Sequence, residues 1–96
     1  MNDKCQIIFQ ALSDKTRQRI LEMLKDKDLC VMAICKPFNM RQPSISHHLN
    51  ILKRAGLVDC CKKGKEVHYK LNRRSLENCC CAILTEFDLR PRKKSK

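Results

Sequence analysis

The sequence predicts a mainly α-helical fold with one β-hairpin, arranged as a winged helix-turn-helix. Four apolar segments with helical spacing come first, followed by a stretch in which apolar and polar residues alternate, and then by one more helical segment. The basic residues concentrate in the fourth helical segment and in the hairpin. Because a chain of 96 residues buries only a modest fraction of its surface, we expect one domain that associates with a partner chain.

Three helical segments are predicted in the first part of the chain. The first helix ends at Leu12. Ser13-Asp14 offers side chains that cap a helix N-terminus, so a second helix is expected over about Lys15–Lys25. The third segment, Leu29–Cys35, is a short helix that ends because Pro37 disfavours a helical residue before it. The apolar positions of the first two helices are Ile7, Ile8, Ala11, Leu12, Ile20, Leu21 and Leu24.

A fourth helix is predicted over the basic central region. Gln42-Pro43 starts it, because proline is tolerated in the first turn of a helix. Gly56 ends it, because glycine readily adopts the left-handed conformation at a helix C-terminus. One face of this helix is an apolar stripe made of Ile45, Leu49 and Leu52. The opposite face carries Ser44, Ser46, His47, Asn50, Lys53 and Arg54.

The periodicity then changes from helical to alternating, which predicts a β-hairpin. Its strands are Leu57–Cys61 and Val67–Leu71, and a turn at Lys63-Gly64 joins them in a basic tip. Ser75 is expected to cap a last helix. The apolar positions of this helix are Leu76, Cys79, Cys80, Ile83, Leu84 and Phe87.

The formal charge of +11 is concentrated in the middle of the chain. Residues 41–74 carry nine Lys and Arg against Asp59 and Glu66, and such a stripe attracts nucleic acid. Short hydrogen-bonding side chains near the start of the fourth helix suit the major groove of DNA: Gln42, Ser44, Ser46 and His47. Basic side chains are placed to hold phosphates or to follow the adjacent minor groove: Arg41, Lys53, Arg54, Lys62, Lys63 and Lys65. We interpret His48 instead as a half-buried structural histidine.

Eight cysteines in so short a chain need a separate explanation. The first residues contain no basic leader or cleavage site, and no stretch approaches the roughly 18 apolar residues of a membrane span. We therefore expect a cytoplasmic protein without a membrane partner, in which the thiols stay reduced. The spacing lacks the paired CxxC motifs of structural zinc sites. Thiolates are soft ligands, so sensing of As(III), Sb(III), Cd(II), Pb(II), Cu(I) or Zn(II) is the favoured role.

Several motifs in one order resemble those of the ArsR/SmtB metalloregulators, over about two thirds of the chain. The first motifs are Ala11-Leu12-Ser13-Asp14, Thr16-Arg17, Arg19-Ile20-Leu21 and Gln42-Pro43-Ser44-Ile45-Ser46-His47-His48-Leu49. The others are Leu52-Lys53-Arg54-Ala55-Gly56-Leu57-Val58 and Gly64-Lys65-Glu66-Val67-His68-Tyr69-Lys70-Leu71. The resemblance implies a homodimer formed through the first and last helices. It also implies a transcriptional repressor that a bound metal or metalloid releases from double-stranded operator DNA.

The resemblance also points to the cysteines that would sense the effector. The family's Cys-Val-Cys-Asp box on the third helix is Cys30-Val31-Met32-Ala33 here, so one thiol and the acid are missing unless Cys35 substitutes. On the last helix, Cys79-Cys80-Cys81 stands in place of the family's Asp/His zinc pattern, and other members bind arsenic there through cysteine pairs. Consecutive helical side chains point about 100° apart, so two of these thiols would need a third, for which Cys5 is the candidate. The cysteines that rank below these as ligands are Cys30, Cys35, Cys60 and Cys61.

We hypothesise a DNA-binding and dimerisation domain over residues 1–89, followed by a basic, disordered tail over residues 90–96. The dimer would span two operator half-sites about one helical turn apart, and a thiophilic effector would change their spacing and weaken binding. No cofactor is expected to be needed for folding. Two alternatives keep the fold: a thiol redox or persulfide switch, and a constitutive DNA-binding protein with structural cysteines. No activated nucleophile, carboxylate pair or cofactor loop suggests an enzyme.

Overall fold

The computed structural model describes residues 3–86, with side chains described as far as Cys81. The elements in this range are α1 (Asp3–Leu12), α2 (Lys15–Met23), β1 (Leu29–Cys30), α3 (Val31–Cys35), α4 (Gln42–Arg54), β2 (Val58–Lys63), β3 (Glu66–Leu71) and α5 (Arg73–Glu86). This order confirms the predicted mainly helical fold with a β-hairpin. The tail over residues 90–96 and the side chains of Ile83, Leu84 and Phe87 lie outside the described part. No helix within the described range is both long and apolar enough to cross a bilayer.

The core forms around one face of α4. Ile45, Leu49 and Leu52 are completely buried there, as their spacing predicted. The helices α1, α2 and α3 and the strand β2 all pack against α4. They supply further buried side chains, among them Ile8, Ala11, Ile20, Leu21, Ile34 and Val58. Burial of this stripe fixes which face of α4 is left exposed.

The third predicted segment is only partly helical. Leu29 and Cys30 form β1, which pairs antiparallel with β3, and the helix begins at Val31. The sheet therefore has three strands in the order β1-β3-β2, whereas the sequence predicted a two-stranded hairpin. The prediction was wrong here because a two-residue strand carries no periodicity of its own and depends on a partner far along the chain.

Three element boundaries also differ from the predictions. The pairing of Lys63 with Glu66 closes the hairpin over Gly64-Lys65, one residue beyond the predicted turn, and Gly64 has a φ of +64°. Such a positive φ suits glycine and matches the twist of a two-residue hairpin loop. The last helix is capped by Asn72, whose side chain accepts from the Ser75 backbone N–H at 3.1 Å, so Ser75 is not the cap. The second helix ends at Met23 rather than at about Lys25.

Arg17 joins three helices through its guanidinium. Its Nε donates to the Ala11 carbonyl at 2.8 Å and its Nη2 donates to the Gln10 carbonyl at 3.1 Å. These are carbonyls at the end of α1 that the helix itself leaves unsatisfied. The Nη1 of Arg17 lies 3.2 Å from Nδ1 of His48 on α4. Since a guanidinium only donates, Nδ1 accepts and the imidazole proton is assigned to Nε2. The side chain of His48 is only 15% exposed, in agreement with its interpretation as a structural histidine.

Asp14 caps α2 as predicted, and its carboxylate accepts from the Arg17 backbone N–H at 3.1 Å. Desolvation by burial acts to raise the pKa of Asp14, but the backbone hydrogen bonds from Arg17 and Thr16 and the charge of the Arg17 guanidinium outweigh it. The net effect lowers the pKa below the ordinary value of 3.8. The carboxylate therefore stabilises the fold above that ordinary pKa, and this contribution is lost as the pH falls through the lower folded-state value.

We expect Asp14→Ala to reduce the free energy of unfolding at neutral pH by about 0.5–2 kcal/mol, the usual cost of losing an N-cap. Asp14→Ser is the matched control, because serine keeps the cap without the charge. Urea denaturation would measure both variants across a pH series. The gap between wild type and Asp14→Ser should narrow below pH 3.8, and a gap that stays constant there would contradict the ionic contribution.

Candidate nucleic-acid interface and cysteine sites

The face of α4 opposite its buried stripe is polar and exposed to solvent. Arg41 precedes the helix in an extended conformation, with φ −76° and ψ 155°, and is exposed. Three of the four side chains predicted to contact bases, Gln42, Ser44 and His47, are also exposed, whereas Ser46 is half-buried. The two cations in the last turn, Lys53 and Arg54, are exposed as well. The structure thus brings hydrogen-bonding groups to the start of this face and cations to its end.

The hairpin formed by β2 and β3 carries the second group of predicted contacts. Lys62, Lys63 and Lys65 are all exposed around its tip. Glu66 lies opposite Lys63 in the strand pairing and is the acid nearest to these lysines along β3. The tip therefore presents three cations against one carboxylate. Since β2 packs against α4, the position of the basic hairpin tip is fixed relative to the polar face of α4.

Lys53 lies against Cys60, a contact that the sequence did not indicate. A hydrogen bond with the Cys60 side chain is the main reason why the pKa of Lys53 is raised. Tyr69 faces Cys60 across the sheet, and desolvation by burial raises its pKa, with Cys60 adding to the effect. Lys53 near the end of α4 and Cys60 in β2 are therefore neighbours.

Cys5 on α1 and Cys79 on α5 lie together in the interior, with exposed fractions of 4% and 6%. The pKa of Cys79 is raised to about 11, first by burial and then by a hydrogen bond with Cys5 and the proximity of Cys80. Cys80 and Cys81 are exposed. Of the four thiols predicted to act together, the structure therefore brings two into contact within one chain. The triplet itself does not converge, as its helical spacing predicted.

The four lower-ranked cysteines are divided between two regions. Cys30 precedes α3 and Cys35 is its last residue; both are half-buried, and burial raises the pKa of Cys35. Cys60 faces Tyr69 and Cys61 faces His68, so the adjacent thiols lie on opposite faces of the sheet. Among the side chains described, no group of three Cys, His, Asp or Glu is close enough to hold a metal ion.

These features define a class of protein. A helix that exposes a polar face, preceded by a shorter helix and followed by a basic hairpin, is a winged helix-turn-helix, the architecture that places a helix in the DNA major groove. A model of this class, "Bacterial regulatory protein, arsR family", matches residues 14–59. The chain belongs to the ArsR family, and it is a DNA-binding transcriptional repressor and not an enzyme.

Individual relatives support this assignment. The chain is 45% identical over 71 residues to the transcriptional repressor SdpR of Bacillus subtilis, covering 74% of this chain and 79% of that protein. It is 41% identical over 66 residues to the arsenical resistance operon repressor of Escherichia coli, covering 68% of this chain and 56% of that one. Among solved structures, an ArsR-like transcriptional regulator from Rhodococcus sp. RHA1 superimposes with a TM-score of 0.79 at 31% identity, over 88% and 83% of the two chains.

Sequence reasoning missed two contacts that connect these sites. The Arg17 bridge from the end of α1 to His48 was not predicted, although both residues stand in motifs that had been singled out. The contact of Lys53 with Cys60 was also missed. Neither has a periodic signal, because each depends on the tertiary packing of elements that are distant in sequence.

We expect Cys79 to resist alkylation by iodoacetamide at neutral pH, because it is buried and a pKa of about 11 keeps its thiol protonated. The exposed Cys81 on the same helix is the internal reference. Timed alkylation with peptide mass spectrometry would give both rates. The rate at Cys79 should rise about tenfold per pH unit, following its thiolate fraction. Equal rates at the two cysteines at neutral pH would contradict this description of the pair.

Proposed function

We propose that this repressor acts in the cytoplasm as a homodimer on a double-stranded operator and is released by a thiophilic effector, with As(III) or Sb(III) as first candidates. The main support for operator binding is the exposed polar face of α4 beside the basic hairpin tip. The proposed release by a thiophilic effector is supported by the Cys5–Cys79 pair. The relative named as an arsenical resistance repressor is a second support.

The proposed DNA contacts divide into two kinds. Side chains at the start of α4 would read base edges in the major groove, and these are Gln42, Ser44, Ser46 and His47. Cations would hold phosphates and follow the adjacent minor groove, and these are Arg41, Lys53, Arg54, Lys62, Lys63 and Lys65. The second group gives affinity without sequence information, whereas the first gives specificity.

The proposed dimer surface includes α1, which exposes two large apolar side chains among polar ones. Ile7 and Phe9 are 48% and 41% exposed in the single chain, although both are large hydrophobic side chains. A second copy that covers them would remove this apolar surface from water, which is favourable by about 25 cal/mol per Å². Because α1 packs against α5, an interface here would place the Cys5–Cys79 pair next to the partner subunit.

The proposed effector site starts from Cys5 and Cys79, with Cys80 and Cys81 as sources of a third thiol. Soft thiolates suit As(III), Sb(III) and similar ions. Because Cys80 and Cys81 point to solvent, convergence of three sulfurs requires α5 to turn or shift against α1. Such a movement would change the proposed dimer interface and therefore the spacing of the two α4 helices. A difference of roughly 1–3 kcal/mol in effector affinity between the two states is enough to shift DNA occupancy five- to 150-fold.

A redox switch is the second candidate function, and the same thiol pair favours it. Two adjacent thiols that lose two hydrogens to an oxidant such as a peroxide or polysulfide form one S–S bond. A disulfide between Cys5 and Cys79 would lock α1 to α5. In this version the oxidant, rather than a metalloid, alters the interface.

We expect replacement of Lys62, Lys63 and Lys65 by alanine to weaken binding to operator and unrelated duplex by similar factors. Each lost phosphate contact should lower the slope of log affinity against log salt by about 0.9. Fluorescence anisotropy at several salt concentrations would measure this. Lys27→Ala, which changes an exposed lysine in the loop before β1, is the control. A change confined to the operator, with an unaltered salt slope, would contradict the assigned phosphate role.

Arsenite should dissociate the wild-type protein from a fluorescent duplex of its gene's upstream region. Cys79→Ser should bind that duplex and lose the response, because one sulfur of the buried pair is gone. Cys61→Ser, which alters an exposed thiol on the sheet, is the control and should respond as wild type. Circular dichroism would verify the fold of each variant. Release by polysulfide or peroxide but not by arsenite would favour the redox switch, and no response to any of them would favour a constitutive DNA-binding protein.

A further inference from the structure

A cavity of about 250 Å³ lies between the start of α4, the end of β1 and the hairpin. Its size is just below the roughly 300–1,000 Å³ typical of ligand pockets, so it suits a small molecule. Apolar walls come from Val31, Met32 and Val67. Met32 is 63% exposed and Val67 is 37% exposed, which is unusual for such side chains in a core-forming region. The cavity is separate from the Cys5–Cys79 pair.

A nucleophile that lines this cavity lies opposite a proton acceptor on the neighbouring strand. Cys30 lines it and lies directly opposite His68 in the β1–β3 pairing. Opposite residues of antiparallel strands share one face of the sheet, with Cβ atoms about 5 Å apart. His68 Nε2 lies 3.2 Å from a carboxylate oxygen of Glu66, which also lines the cavity. Because a carboxylate accepts, Nε2 carries the proton in the neutral imidazole and Nδ1 keeps its lone pair.

This arrangement matches the general design of an activated thiol: a nucleophile, a base near it, and a third group that orients the base. Lys65 adds a cation at the rim, where it can face a carbonyl oxygen of a ligand. Apolar walls, a thiol with a base and one cation together describe the recognition of an apolar molecule that contains an electrophilic carbon next to a carbonyl group.

We propose that this cavity binds small apolar α,β-unsaturated carbonyl compounds, such as enones or quinones, and that Cys30 adds to them covalently. The sulfur forms a bond to the β-carbon while the π bond of the alkene breaks. His68 takes the thiol proton at Nδ1 and returns it to the α-carbon of the enolate. Atoms and charge balance without any external oxidant or reductant.

A molecule bound in the cavity would affect DNA binding, because two further lining residues are proposed DNA contacts. Gln42 is the first residue of α4, and Lys65 is at the hairpin tip, and both line the cavity. An adduct on Cys30 would therefore lie between the two groups proposed to contact DNA. Reaction at this site would regulate the protein separately from the proposed thiophilic effector. Only its effect on DNA binding rests on the proposed function.

The test uses the reduced, full-length protein with N-ethylmaleimide and N-phenylmaleimide as conjugate-addition probes. Peptide mass spectrometry would give a rate for each cysteine, with the exposed Cys81 as internal reference. Half-buried Cys30 should react faster than Cys81, and more so with the phenyl reagent. His68→Asn should slow Cys30 about tenfold or more and leave Cys81 unchanged. Met32→Ser should remove the preference for the phenyl reagent at Cys30.

Operator DNA should protect Cys30 and not Cys81, and the Cys30 adduct should bind the operator at least about tenfold more weakly. Cys30 reacting no faster than Cys81, with no effect of His68→Asn in a folded variant, would overturn the proposal. Fast modification of Cys30 that leaves operator affinity unchanged would overturn its link to DNA binding. If the unmodified protein fails to bind its operator, the proposed function fails, while the maleimide rates still decide whether the cavity is an electrophile site.

Discussion

Burial of the apolar stripe on α4 is the constraint on which the rest of the structure depends. Ile45, Leu49 and Leu52 have no exposed surface, and elements from both sides of the sequence pack onto them. Side chains on a helix are fixed relative to one another by its period of 3.6 residues. Once this stripe is buried, the polar residues at the start of α4 have to face solvent. The exposed face of α4 that is proposed to read DNA is thus a consequence of the core, and changes in the core would move this face without any change to its residues.

The fold was predictable where the signal is periodic and local. The helix containing Leu49 and the alternation around Tyr69 each repeat over enough residues to identify the element, and Asp14 marks a helix start by its own chemistry. β1 was missed because two residues have no period and acquire their structure only by pairing with β3. The cap at Asn72 was missed because its neighbour Ser75 has equally suitable chemistry, and the backbone path decides between them.

The sequence predicted which residues the candidate sites contain, but not how most of these residues are arranged in space. The polar face of α4 follows from spacing alone. The partners of the cysteines do not, because the eight thiols have several alternative neighbours until the packing is known. The structure separates them by environment: Cys79 is buried with Cys5, Cys81 lies at the surface, and Cys30 lines a cavity. The proposed effector binding and the proposed redox switch thus share the Cys5–Cys79 pair, whereas the proposed conjugate addition uses Cys30.

The bridge from Arg17 has a mechanical consequence. It fastens the end of α1 to the side of α4 by rigid, directional bonds of 2.8 to 3.2 Å. A tilt of α1 is therefore transmitted to α4. His48 is the seventh of the 13 residues of α4, so with a rise of 1.5 Å per residue each end of the helix lies about 9 Å from the bridge, and a tilt of about 5° moves it through about 0.8 Å. Because hydrogen-bond distances span a range of only about 0.5 Å, such a tilt would disturb the proposed contacts between the start of α4 and base edges.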